Sequence, residues 1–229
     1  MKRFYKEAAP RPVENGYEIL LDKKLVKTPG RKRLVVPTSG LAEAIAAEWN
    51  AQGDKIDPRS MPLTGLANAA IDRAATDHEG FARTLARFGE SDLLCYRADS
   101  PNALISRQSK LWDPVLAWAR RRFDVDFETV RGIVHRPQPP ATLERLERAV
   151  LSKTAFELAA LSPLVTISGS LLIGLALAED GLDLDKAWEA ATLDEAWQTE
   201  HWGEDEEAAA ALEARRRDFE AAHRFLKLL

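Results

Sequence analysis

The chain has 229 residues, 45% of them hydrophobic, which is enough apolar material for one large domain or two modest ones around a buried core. Charged residues reach 30%, but the two signs are interspersed and the net charge is only -4, so no basic field that would gather nucleic acid is present. The single cysteine, Cys95, excludes an intrachain disulfide, and its place in the apolar run DLLCY marks a small buried hydrophobe of a reducing compartment rather than a nucleophile.

The chain begins MKRFYKEAAPRPVENGYEI, without the apolar stretch of a secretory signal or a long Arg- and Ser-rich amphipathic segment. It is expected to be neither secreted nor imported. From Tyr17 to Val36, short β-prone runs are punctuated by DKK and TPGRK, which predicts three short antiparallel strands. A Ser or Thr cap then opens an amphipathic helix with Leu41, Ile45 and Trp49 at four-residue spacing, closed by Gly53. Pro58 and Pro62 stop the chain and restart it as a helix rich in small residues. They place a domain boundary after residue 58, giving a β-rich unit over 1–58 and a helical unit over 59–229.

Phe81, Leu85 and Phe88 form one helical stripe ending at Gly89, and SDLLCYRA reads as a helix end or a brief strand. The stretch from Leu104 to Phe123 is helical, with Pro114 expected to kink or restart it. DVDFETVRGIVH reads as a strand pair or an irregular connection, and RPQPP breaks the chain before a helix in which Glu144 and Arg148 pair at i, i+4. In the last third Pro163 is expected to separate a short helix from a buried one ended by Gly181. Two further helices follow, over LDLDKAWEAATLDEAWQTEHWG and EDEEAAAALEARRRDFEAAHRFLKLL. The apolar run Leu164 to Ala178 is shorter than the roughly 20 residues a bilayer core requires, so it predicts a core helix and no membrane insertion. The fold class is α+β: a small antiparallel β-rich domain followed by an orthogonal helical bundle.

Signatures of catalysis and cofactor binding are absent from the sequence: no phosphate loop, dinucleotide fingerprint, HExxH, GxSxG or CxxC. Gly169 and Gly174 in GSLLIG are expected inside a helix, serving close packing rather than phosphate binding. His78, His135, His201 and His223 fall in separate segments with no helical zinc spacing, so neither metal nor cofactor is expected. Glu204, Asp205, Glu206 and Glu207 suit the first turn of a helix, where negative charge meets the positive end of the dipole, better than a calcium loop. The basic runs at 31–33, 120–122 and 215–217 read as solvated faces.

One polar group stands apart. On a continuous helix Ala191, Glu195, Gln198 and Trp202 form a single stripe with Trp188 near its start, so two polar side chains fall in an apolar or aromatic seam. A carboxylate there needs an Arg partner, a helix end, or a binding partner, and pairing is the default expectation.

Taken in order, KRFYK, GYEILLDKKLVKTP, EWNAQ, MPLTGLANAAID, DLLCYRA, WDPVLAW, SGSLLIGLAL and LDEAWQTEHWGEDEEA resemble the assembly chaperones of the catalytic head of F-type ATP synthase, the branch that binds the alpha subunit. The resemblance spans nearly the whole chain, and its most distinctive piece is the LDE followed by a Gln, three residues and Trp-Gly. It implies a protein that catalyses nothing, holds free alpha subunit as a monomer and yields it to beta subunit. It also implies that Glu195 is the functional carboxylate, with Gln198, Trp202 and Gly203 as further partner-binding residues. Mitochondrial relatives carry import segments and this chain begins almost directly at RFYK, so the resemblance implies a bacterial cytoplasm. Two other readings stay open: an enzyme using acids drawn from Asp194, Glu195 and Glu200 with His201, and a helical interaction module for another client. Against the enzyme, Glu195 and Glu200 stand about 140° apart round a straight helix and do not converge.

Overall fold

The computed structural model describes residues 1–132, 134–203 and 205–229. Its contacts divide into two compact units: Met1–His78 with Thr154–Ala160 and Ala221–Leu229, and Glu79–Lys153 with Leu161–Glu220. The α+β class expected from the sequence is the class observed.

The first unit is built on four antiparallel strands, β1 (Ala8–Val13), β2 (Gly16–Leu21), β3 (Lys24–Leu25) and β4 (Val35–Val36). β2 is central: β1 pairs along its whole length, while β3 at Leu20–Leu21 and β4 at Tyr17–Glu18 share its opposite edge. The three strands expected between Tyr17 and Val36 are present, and β1, which contains Pro10 and Pro12, is an addition to them. A proline cannot donate to a ladder, and β1 accommodates two because it pairs only with β2 and forms the sheet edge. Gly16 turns the β1–β2 hairpin at φ +131°, where a Cβ would lie 2.3 Å from the Val36 carbonyl oxygen.

Helix α1 (Ser39–Asn50) starts at Thr38, whose hydroxyl accepts the Leu41 N–H at 3.2 Å, and buries Leu41 and Ile45 as the spacing predicts. With Ile19, Leu34 and Leu63 these side chains form the centre of the unit's core. The division expected after residue 58 falls inside this unit, since Met61, Leu63 and Ala67 belong to the same core. Helix α2 (Pro62–Ala69) lacks a side-chain cap of its own. Glu48 of α1 supplies one, accepting from Leu63 N at 2.7 Å, Thr64 N at 2.8 Å and Thr64 Oγ1 at 2.7 Å.

In the second unit, α4 (Asn102–Phe123) packs against α5 (Pro140–Leu151), α7 (Leu171–Ala178), α8 (Leu184–Ala191) and α9 (Leu193–Trp202). Helix α4 is unbroken across Pro114, so the expected restart does not occur. Two short parallel strands, β5 (Tyr96–Arg97) and β6 (Val130–Arg131), tie the segment after α3 (His78–Ala86) to the stretch read as a strand pair or irregular connection; Ile133 of that stretch lies outside the described residues. Helix α7 is buried from Leu171 to Leu177, as the apolar run predicts.

Pro163 does not end a helix. α6 (Ala155–Ser168) runs through it, and the chain turns instead at Gly169, whose φ is +67°, and Ser170. A proline costs a helix one hydrogen bond, and the buried Leu161, Leu164 and Val165 around it offset that loss. Gly169 is therefore a turn residue and not a helix-packing glycine, whereas Gly174 does pack closely, with Val165 2.7 Å from where its Cβ would lie.

The turn is fastened by Asp92, a wholly enclosed carboxylate that accepts from Ser170 Oγ at 2.7 Å, Leu172 N at 3.0 Å and Leu94 N at 3.1 Å. Burial, outweighing these hydrogen bonds, pushes its carboxyl from 3.8 up to about 6. The neighbouring Cys95 is buried, as its sequence context predicts, and its thiol is pushed up to about 12, first by burial and then by the Asp92 charge.

The segment read as one helix from 182 to 203 is two, α8 and α9, separated at Thr192 with φ -110° and ψ 12°. The chain then closes with α10 (Glu206–Lys227); of the acidic run before it, Glu204 lies outside the described residues, while Glu206 and Glu207 occupy the first helical turn.

Two stability predictions follow from these carboxylates. Glu48→Ala leaves two N–H groups of α2 without a partner and lowers stability by about 1–3 kcal/mol in urea unfolding. Asp92 binds its proton more tightly in the folded than in the unfolded chain, so its contribution is fully present below pH 3.8 and is lost as pH rises to about 6. Urea unfolding across that window should show wild type losing on the order of 3 kcal/mol relative to Asp92→Asn; parallel pH profiles would contradict it.

Candidate functional site

Helix α9 carries three of the four residues expected to meet a partner, and Gly203 ends it. Glu195, Gln198 and Trp202 share one stripe at i, i+3 and i+7, as the spacing requires. Trp188, expected near the start of the seam, lies along one groove with these three residues, but the seam is open rather than enclosed. Trp188 and Ala191 belong to α8, and the backbone change at Thr192 takes α9 out of its register, so the stripe faces outward instead of being enclosed. Among the described residues of α9 only Leu193 is buried; Glu195 and Gln198 are exposed, and Trp202 is 78% exposed.

Glu195 does have the arginine partner that its position called for. Arg215 of α10 donates to its carboxylate, but at the surface, with half of the Glu195 side chain still in solvent. Such a pair contributes at most about 1 kcal/mol, so it orients the carboxylate more than it stabilises the fold. A groove of about 780 Å³ opens beside this pair, with Trp188, Trp202, Ala208 and Leu212 supplying apolar surface and Glu195 and Gln198 polar groups. Gly203 adopts φ +91° and donates its N–H to the Thr199 carbonyl at 3.0 Å. Nothing crowds a Cβ there, so it is the backbone angle that asks for glycine.

The other flank of α9 is tied to α4. The Gln108 side chain donates to Asp194 at 2.9 Å, Arg107 donates to both oxygens of Glu200 at 2.8 Å, and the Arg107 guanidinium lies 4.9 Å from the Trp197 ring centroid. The Arg107 hydrogen bonds hold the Glu200 carboxyl below the usual range. His201 stacks on Trp197 at 4.1 Å and meets the Trp197 carbonyl through Nδ1 at 2.8 Å. Thus Glu195 and Glu200 point to different partners on different helices, an arrangement unsuited to a paired-acid reaction. Among the described residues no three His, Cys, Asp or Glu side chains gather where a metal ion could be held, and no helix is long and apolar enough to cross a membrane.

The sequence pattern does not mark Gln108, Arg107 or Arg215 as site residues. Each meets α9 across 20 to 93 positions of sequence, and helical spacing reveals only neighbours three or four residues apart.

A family model described as "ATP12 chaperone protein" matches residues 2–120. Protein atp12, mitochondrial, of Schizosaccharomyces pombe is 27% identical over 220 residues, covering 90% of this chain and 75% of its own. Protein ATP12, mitochondrial, of Saccharomyces cerevisiae is 25% identical over 253 residues, covering 90% and 77%. The crystal structure of Atp12 from Paracoccus denitrificans matches with a TM-score of 0.94 at 40% identity, over 99% of this chain and 97% of that one. The structural likeness includes α9, which lies beyond the segment matched by the family model.

An exposed side chain that supports no core can be removed cheaply. Trp202→Ala should leave the chain's stability within about 0.5 kcal/mol of wild type by thermal unfolding.

Proposed function

The chain belongs to the ATP12 chaperone family, and we propose that it binds unassembled alpha subunit of ATP synthase, shields the interface of that subunit from aggregation, and yields it to beta subunit. The observation that carries this reading is Trp202, a large aromatic left 78% exposed at the end of a short helix, beside a polar stripe and an open groove. Exposed aromatics at a groove with a polar rim are the usual anchors of protein interfaces.

A subunit destined for an alternating ring exposes apolar surface before assembly, and uncovered it associates wrongly. Glu195 then offers a charge-assisted hydrogen bond to the client, Gln198 a neutral one, and Trp202 the buried contact, while Gly203 sets where the helix stops. Exchange for beta subunit requires only competition between binding surfaces, so no bond-making chemistry, metal or cofactor enters the cycle. The protein acts as a monomer in a bacterial cytoplasm, without nucleic acid.

Light scattering of purified alpha subunit measures the activity directly. Near-equal molar chaperone should suppress aggregation, beta subunit should displace it, and Glu195→Lys, which sets a second cation beside Arg215, should abolish protection while Tm shifts by no more than about 2–4 °C. Equal protection by the mutant would remove Glu195 from the site, and failure of wild type to capture alpha subunit would refute the client.

A further inference from the structure

On the α4 flank of α9 lies a second groove, of about 720 Å³, which shares Gln198 and Trp202 with the first. Its apolar surface comes from Tyr96, Pro101, Leu104 and Trp197. The floor is fixed by one buried amide: Gln108, 1% exposed, accepts the Ala98 N–H at 2.8 Å and donates to Asp194 at 2.9 Å, so that the two walls are joined through it. Gly132, at φ +79°, lies so near Asp99 that a Cβ would come within 2.6 Å of the carboxylate. That backbone therefore supports Asp99 without a side chain to cover it.

The charges along this groove do not cancel. Arg97, the guanidinium that lines it, is committed to Asp113 at 2.7 Å and lies 5.1 Å from the Trp112 centroid. Arg107, just outside, is committed to Glu200 and Trp197. His201 is engaged by the Trp197 carbonyl. Asp99 and Asp194 line the groove, and among the described residues neither has an ion-pair partner. Two carboxylates without an ion-pair partner, Asp194 held only by the Gln108 amide and the first turn of α9, lie beside aromatic and aliphatic surface; together they attract a guest with a cationic head and an apolar stem, and repel an acidic one.

We infer that this groove receives an apolar segment of the client protein whose Lys or Arg side chains pair with Asp99 and Asp194. The inference deepens, and rests on, the reading of α9 as the docking helix. It makes α9 a ridge gripped from both sides: Glu195 and Trp202 serve one groove, Asp194 and Trp197 the other.

Two synthetic peptides of about twelve residues, with identical Leu and Ala positions but four Arg in one and four Glu in the other, test the groove without the client. Titrated into the full ¹⁵N-labelled chain, the Arg peptide should shift the Gly132 amide and the Trp197 indole, whereas the Glu peptide should not. Asp99→Lys should weaken Arg-peptide binding about tenfold or more, and Asp99→Asn should weaken it less. Asp99 is exposed, so these variants should retain the wild-type Tm. Equal binding of the two peptides, no binding of the Arg peptide, or unchanged binding to Asp99→Lys would overturn the inference. Capture of alpha subunit by wild type is read separately: capture without peptide binding sinks the groove alone, and peptide binding without capture supports the groove while sinking the client.

Discussion

Side-chain ties, beside the burial of Leu193, hold α9 in place, and the interaction properties of the second unit depend on that. A ten-residue helix is marginal by itself, and α9 buries only Leu193. What secures it is Gln108 on Asp194, Arg107 on Glu200 and Arg215 on Glu195. Because the ties reach it from α4 and α10 at other positions, Gln198 and the aromatic side chain of Trp202 are left uncovered. Exposed ties of this kind contribute little individually. The helix therefore sits at the low-stability end of its unit, where a surface can adjust to what it meets.

The cores, by contrast, are fastened by enclosed or partly enclosed carboxylates. Asp92 caps the start of α7 and Glu48 caps the start of α2, each from a different element of the chain. Burial raises both carboxyl pKa values, which means that each charge is retained against a solvation cost because helix N–H groups require it. The Asp92 network also fixes where α6 ends. Ser170, bonded to Asp92, holds the turn that Gly169 permits, and so the chain breaks there and not at Pro163.

Local patterns were legible wherever one helix face or one strand decides the outcome. Leu41 and Ile45 read correctly as core, the part of the apolar run from Leu171 as buried, and Glu195, Gln198 and Trp202 as one stripe, because periodicity is a property of consecutive residues. The failures share a cause. The Thr192 break, the helix through Pro163 and strand β1 with its two prolines are settled by partners distant in sequence, which override local preference. The same holds for the site. Glu195 could be recognised as a carboxylate in need of a partner, but Arg215, the exposure of the stripe and both grooves depend on how α4, α9 and α10 come together.

In the proposed role, weak tethering and mixed polarity are consistent with release. An alpha subunit must be covered firmly enough to stay apart from other copies, yet give way to beta subunit, whose interface is obligate and correspondingly apolar. A chaperone surface of that same character would compete too well. Exposed ion pairs at Glu195 and Glu200, carboxylates at Asp99 and Asp194, and one prominent indole give contacts whose electrostatic part is screened by salt and whose apolar part is small. Such a surface gains specificity and encounter rate from its charges more than it gains affinity. On the proposed reading, displacement needs only competition for the covered surface, with no energy-consuming step to drive it.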